Sequence, residues 1–183
     1  YIVGKASRIC NIIYRVFACR DPFFLIKLFN IYARPILEYN TSVWFPFNVG
    51  DIAFIESVQR KYTKRIPSIS GWSYRRRLEY LKQDTLELRR LRFDLVETFK
   101  IVTNVVSVDF NFWYRNDNRL RGHSKMLALP PARSSARDRF FTFRVVRLWN
   151  FLPDSVVTAG SVSSFKSRLL GVDLSRFLRA KSD

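Results

Sequence analysis

The sequence predicts a mainly α protein, with a helical bundle over residues 1–107 and a smaller, irregular α/β extension over 108–183. Three observations carry this. Apolar residues recur at helical spacing through the first hundred positions, and capping and breaking residues punctuate them at intervals of one helix. Apolar residues make up 48% of the chain and aromatics 16%, enough to bury a core. After Val108 the pattern changes: Gly122, Pro130, Pro131 and a serine pair interrupt it, and alternation at Phe141, Phe143 and Val145 is compatible with a β-hairpin.

In chain order, Ile9, Ile12, Ile13, Val16 and Phe17 set the first helical stripe. Asp21 then Pro22 reads as an N-cap followed by proline at N1, where its missing N–H costs nothing. Phe24, Leu25, Leu28, Ile31 and Tyr32 would face the core, and Pro35 should kink that helix near Ile31. Tyr32, Leu37, Tyr39, Val43 and Trp44 are expected to form the bundle's inner wall, with Arg34 and Glu38 paired at i, i+4. Asp51 is expected to cap a helix whose buried stripe is Ile52, Ile55, Val58, Tyr62 and Ile66, stopped by Pro67. Ser73 can cap a short helix holding Tyr74, Leu78 and Leu81. Asp84 and Glu87 resemble a capping box opening a long helix to about Val106, with the stripe Leu88, Leu91, Leu95, Phe99 and Val102. Later, 144–153 reads as a short helix ended by Pro153. Ser161 or Ser163 caps the next, which Gly171 closes, and 174–183 reads as a short amphipathic helix.

Charge sets the partner class. Lys and Arg number 32 against 15 Asp and Glu, a formal net charge of +17, which repels itself unless a polyanion neutralises it. Nucleic acid fits better than an anionic membrane, because the basic residues interleave with core positions and do not form a juxtamembrane block. The most apolar window, 22–37, contains Lys27 and Arg34, so no membrane-spanning segment is expected. Cys10 and Cys19 lack metal or redox spacing and point to a reduced, intracellular setting. The opening YIVGKASRIC has neither an initiator Met nor a signal-peptide layout, so the chain reads as a piece of a longer polypeptide.

Several blocks in order, YARPILEYNTSVWFP (32–46), DIAFIESVQRKYTKRI (51–66), SYRRRLEYL (73–81), TLELRRLRFDLVETFKI (85–101), RLRGHSKML (119–127), FFTFRVVRLWNFLP (140–153) and SFKSRL (164–169), together resemble the C-terminal part of reverse transcriptases of non-LTR (LINE-type), jockey-like retrotransposons. The resemblance implies that 1–107 is a thumb-like helical domain and 108–183 a basic C-terminal extension. It also implies that fingers and palm, with the catalytic carboxylates and their divalent metal, lie upstream in the parent polypeptide. Independently, the chain has no Asp-Asp or Asp-Glu pair with which to hold two metals, so it is not expected to be an enzyme on its own, nor to carry a cofactor.

The candidate nucleic-acid-binding residues follow the basic runs. Arg60, Lys61, Lys64 and Arg65 share one helical face; Arg75, Arg76 and Arg77 open the next helix; Arg89, Arg90 and Arg92 begin the third. A second group, Arg119, Arg121, His123, Lys125, Arg133, Arg137 and Arg139, lies in the irregular segment. His123 is the one histidine, expected to position or touch phosphate and not to catalyse. Trp44, Trp149 and Phe140, Phe141 and Phe143 are expected to fill a core more than to stack on bases. The expected partners are RNA, DNA and their hybrid, with a nuclear location. The alternatives are a stand-alone nucleic-acid-binding protein derived from a retroelement, or an interaction protein for acidic partners.

Overall fold

The computed structural model describes residues 1–107, 122–128 and 137–180. They are mainly helical, and among them no sheet forms; Leu127 makes a lone bridge. The chain folds as two compact units. One holds Tyr1–Asn40, Pro46–Arg90 and the described residues from Leu178; the other holds Thr41–Phe45 and the described residues of Leu91–Phe177. The division falls inside the long helix, at Arg90/Leu91.

The first unit contains α1 (Ile2–Val16), α2 (Pro22–Leu28), a π-helical turn (Phe29–Ala33), α3 (Arg34–Glu38), α4 (Val49–Lys64), α5 (Tyr74–Leu81) and the start of α6 (Leu86–Val102). Asp21 caps α2 by accepting from the Phe24 N–H at 2.7 Å, with Pro22 at N1. The bend expected at Pro35 takes the form of the wide turn: the Arg34 N–H reaches back to the Phe29 carbonyl, so the ladder loses register just where proline cannot donate. Tyr62 ties the unit together. Its hydroxyl donates to the Leu25 carbonyl at 2.7 Å, its own carbonyl accepts from the Tyr14 hydroxyl at 3.0 Å, and its ring packs 4.9 Å from Phe29 and 5.1 Å from Tyr14. Burial pushes both hydroxyls up, Tyr14 to about 12. The α4 stripe Ile52, Ile55, Val58, Tyr62 and the following Ile66 is buried throughout, as the spacing predicts.

Other expectations are corrected. In α1 the buried face is Ala6, Cys10, Ile13 and Tyr14, whereas Ile12 and Val16 are 52% and 66% exposed. The small residues Ala6 and Cys10 allow close approach, and Tyr14 needs its buried acceptor, so the helix turns that side inward. Ile31, Tyr32, Tyr39 and Val43 are exposed: Ile31 and Tyr32 lie in the π turn, which turns Phe29 and Ala33 inward instead, and Tyr39 and Val43 lie past the end of α3. Asn48, not Asp51, occupies the N-cap of α4; Asp51 lies in the first turn and accepts from Asn48 Nδ2 at 3.2 Å. The capping box at α6 does not form. Thr85 Oγ1 accepts from the Leu88 N–H at 3.2 Å, and Glu56 of α4 accepts from the Leu86 N–H at 2.8 Å. Glu87 turns aside to accept the Arg179 and Ala180 N–H groups at 2.7 and 3.2 Å.

The second unit continues α6 and adds α7 (Phe141–Asn150), α8 (Asp154–Val157) and α9 (Val162–Leu169). The extended reading of Phe141, Phe143 and Val145 is overturned. Val145, Leu148 and Trp149 follow Phe141 at helical spacing and α7 buries them, so the short alternation was a by-product of period 3.6. Phe99 stacks on Phe165 at 4.3 Å, and Trp149 lies 6.0 Å from the same ring. Asn150 pairs with the Leu127 main chain in both directions, at 2.8 and 2.9 Å. Ser161 caps α9 through the Ser164 N–H at 3.1 Å. Among the described residues of the tail, up to Ala180, a 3-10 turn, Ser175–Phe177, stands where an amphipathic helix was expected. The basic and proline-rich positions at 108–121 and 129–136 lie outside the described residues.

Arg144 secures this unit. It forks onto buried Asp94 at 2.8 and 3.0 Å and also donates to the Thr41 and Ser42 carbonyls at 3.0 and 3.1 Å. Arg144→Met should cost about 3–5 kcal/mol by removing the forked guanidinium from buried Asp94, and the double variant with Asp94→Leu should recover part of that loss. Urea unfolding of both variants checks this; equal losses would refute the pairing.

Glu56 generates a pH prediction. It is buried, accepts from the Tyr74 hydroxyl and the Leu86 N–H, and burial raises its pKa against the opposing pull of those bonds. The folded state therefore holds its proton more tightly than the unfolded chain. The stability this group contributes is present in acid and is lost as pH rises from the ordinary carboxylate range through the raised folded value. Glu56→Gln should remove that slope: its carbonyl oxygen can still accept from the Leu86 N–H, while its amide NH2, which cannot accept, would donate to the Tyr74 oxygen. Denaturant titrations of wild type and variant across pH 4–8 measure the difference, which should grow in favour of the variant as pH rises.

Candidate nucleic-acid interface

The basic runs divide by depth. On the C-terminal half of α4, Arg60, Lys61, Lys64 and Arg65 are all exposed. Arg60 and Lys64 stand one turn apart, as do Lys61 and Arg65, so the four form a single strip. Arg60 lies over the ring of Tyr74, the first residue of α5, at 4.9 Å, which brings this strip against the start of the next basic helix. There Arg75 and Arg76 are exposed. Arg75 pairs with Glu79 at 3.0 Å across one solvated turn, and Arg76 lies 4.4 Å over Trp72. At the other end Arg65 lies 4.0 Å over Tyr14 and donates to Asn11 Oδ1 at 2.7 Å, which joins the strip to α1. Among the described residues, no hydrogen-bond or ion-pair partner meets the Lys61 or Lys64 ammonium.

The junction adds residues that the runs did not single out. Arg8 and Arg15 are exposed on α1 and stand three and four residues from Asn11, on the stripe that meets Arg65. Their spacing in the sequence, 8, 11 and 15, is helical and could have flagged them. They escape a search for contiguous basic runs because each stands alone.

Other expected contacts are internal. Arg77 is 3% exposed and donates to Thr63 Oγ1 at 3.2 Å and to the Trp72 and Arg60 carbonyls at 2.9 and 3.3 Å. Burial lowers its pKa. Arg90 is 2% exposed and donates to the Leu37 carbonyl. Arg89 forks onto Glu38, half-buried, and displaces Arg34 to a looser 3.8 Å contact with the same carboxylate. These three arginines serve the packing, because a guanidinium can satisfy several carbonyls that an ammonium would leave short. Arg92, in the second unit, is half-buried.

His123 is buried and structural. Its Nδ1 accepts from the Lys125 N–H at 3.1 Å, so the proton sits on Nε2, which donates to the Trp149 carbonyl at 3.1 Å. Burial holds its pKa below the usual histidine range, and the imidazole stays neutral. Lys125 is half-buried, with its ammonium 6.0 Å above the Phe99 ring. Arg119 and Arg121 lie outside the described residues. Among those described, no cluster of histidine, cysteine or acidic side chains could hold a metal ion, and no helix is long and apolar enough to cross a membrane.

No family model matches this chain, and no solved structure matches it. A curated protein of Caenorhabditis elegans described as "Uncharacterized protein B0403.1" is 24% identical over 115 residues, 61% of this chain. The match spans 56% of that protein's own length, so the chain covers little more than half of it.

Proposed function

We propose that this chain grips nucleic-acid backbones without reading sequence, as the non-catalytic thumb and C-terminal part of a LINE-type reverse transcriptase. Bond-making would belong to carboxylates and metal elsewhere in the parent polypeptide. The observation that carries the binding part is the exposed strip Arg60, Lys61, Lys64 and Arg65, continued by Arg75 and Arg76, into which, among the described residues, Glu79 alone pairs as an acid. Clustered cations with so few counter-charges favour a polyanion. The ordered blocks quoted above support the placement within a reverse transcriptase, and with it the RNA–DNA hybrid as ligand and the nucleus as location.

Phosphate contacts fix register and carry no sequence information, which suits an element that must hold any duplex while it moves. Stacking on Tyr74, Tyr14 and Trp72 keeps three of the guanidiniums extended over flat rings, so less side-chain freedom is lost when a phosphate is met.

About six neutralised phosphates should give a log–log salt slope near −5 on duplex DNA. Lys61→Glu with Lys64→Glu should reduce that slope by about 2 and weaken every sequence alike, as measured by fluorescence anisotropy over a salt series. Loss confined to one sequence would argue for base readout, and an unchanged slope would remove the strip from the interface. Arg77→Leu should instead lower the thermal midpoint and leave the slope unchanged. Binding to an acidic protein with none to hybrid or duplex would favour the protein-partner alternative.

A further inference from the structure

One surface of the first unit is aromatic as well as cationic. Phe23, at the start of α2, and Tyr80, on α5, are 48% and 43% exposed, with ring centroids 5.4 Å apart. Tyr80 meets Trp72 edge-on at 5.3 Å, and Trp72 carries Arg76 on its face. Trp72, Arg76 and Tyr80 follow one another at four-residue steps, so they form one row beside Phe23. Large aromatics this exposed, in contact with each other, are costly to leave in water. Their charged neighbours are Arg75 and Arg76, with Glu79 tied to Arg75, and exposed Lys27 one turn beyond Phe23.

From this we infer that Phe23 and Tyr80, backed by half-buried Trp72, are a stacking platform for unpaired bases of a single strand, whose phosphates Arg76 and Lys27 would meet. The inference rests on the nucleic-acid reading above and extends it from duplex backbone to single-stranded bases. Charge complementarity selects the occupant: an apolar peptide would gain from the rings but nothing from the cations. A duplex would gain from the cations, but its stacked bases leave no face for the rings. An unpaired strand uses both, since every base presents a π face and every nucleotide a phosphate. Stacking on a ring face is open to every base, so the platform would distinguish bases chiefly by stacking strength.

The test compares a twelve-nucleotide oligothymidylate, an abasic strand of the same length and charge, and a short duplex, against the full chain. The variant is Phe23→Leu with Tyr80→Leu, which keeps apolar packing and removes the π faces. Wild type should favour the base-bearing strand over the abasic one by roughly fivefold to a hundredfold, and the variant should lose that preference while keeping its duplex affinity. Thermal melting of the variant within a few degrees of wild type keeps the comparison valid; if it melts early, Phe23→Leu alone is used and the same preference read. Equal wild-type binding of the base-bearing and abasic strands overturns the platform and leaves the backbone reading intact. No binding of any of the three ligands overturns both. A concentration-dependent dimer abolished by the variant also overturns the platform, since the rings would then be covered by a second copy.

Discussion

Self-repulsion is the constraint on which this structure turns. A chain with a formal net charge of +17 must close around a core while its cations stay apart, and its 15 acids are too few to neutralise them one by one. Position resolves this. Glu56, Glu87 and Asp94 are buried and Glu38 nearly so, and each holds separate segments together: Glu56 joins α4 to Tyr74 and to the N-terminus of α6, Glu38 receives Arg89, Asp94 receives Arg144, and Glu87 receives two main-chain N–H groups near the C-terminus. None of the described lysines is buried. Spending acids on the interior makes the outside more cationic than composition alone suggests.

Arginine is the exception to the rule that cations stay out, and the reason is geometric. Arg77 reaches a hydroxyl and two carbonyls in one plane, and Arg144 reaches a carboxylate and main-chain carbonyls together. A lysine at either place would leave acceptors short and a point charge poorly solvated. Arg60 and Arg77 both face the Tyr74 ring, at 4.9 and 5.5 Å, one from outside and one from within. The inner arginine fixes α5 against α4, and the outer one is thereby held in place. Packing and surface chemistry share the same aromatic residue.

This also explains what the sequence could reveal. The α4 stripe, the Asp21–Pro22 start and the Ser73 and Ser161 caps are local patterns, set by spacing of a few residues, and each is found where the pattern places it. The face α1 buries is not local: Ile12 and Cys10 fit a helix equally well, and the choice depends on Tyr14 finding the Tyr62 carbonyl 48 residues away. The fate of an arginine is equally distant, because a run such as Arg75–Arg76–Arg77 is uniform in sequence while only its third member points at Thr63 and the Arg60 carbonyl. Contiguity therefore does not separate buried Arg77 and Arg90, or Arg89 paired with Glu38, from exposed Arg60 and Arg76, and it passes over exposed Arg8 and Arg15. A helical projection of charge would have done better than a search for runs.

The two kinds of cation left outside imply a division of labour on the proposed reading. Arg60, Arg65 and Arg76 are pinned on rings, so their positions along the surface are set before any ligand arrives. Lys61 and Lys64 are unpinned, and their long stems can follow a phosphate as it shifts. Pinned forks alone would hold a strand in one register and resist movement; free ammonium groups alone would cost more side-chain entropy at each contact. Alternating the two along one helix gives defined spacing with a low barrier between neighbouring registers. That combination is what a surface must have if it is to stay bound to a backbone that is being drawn past it.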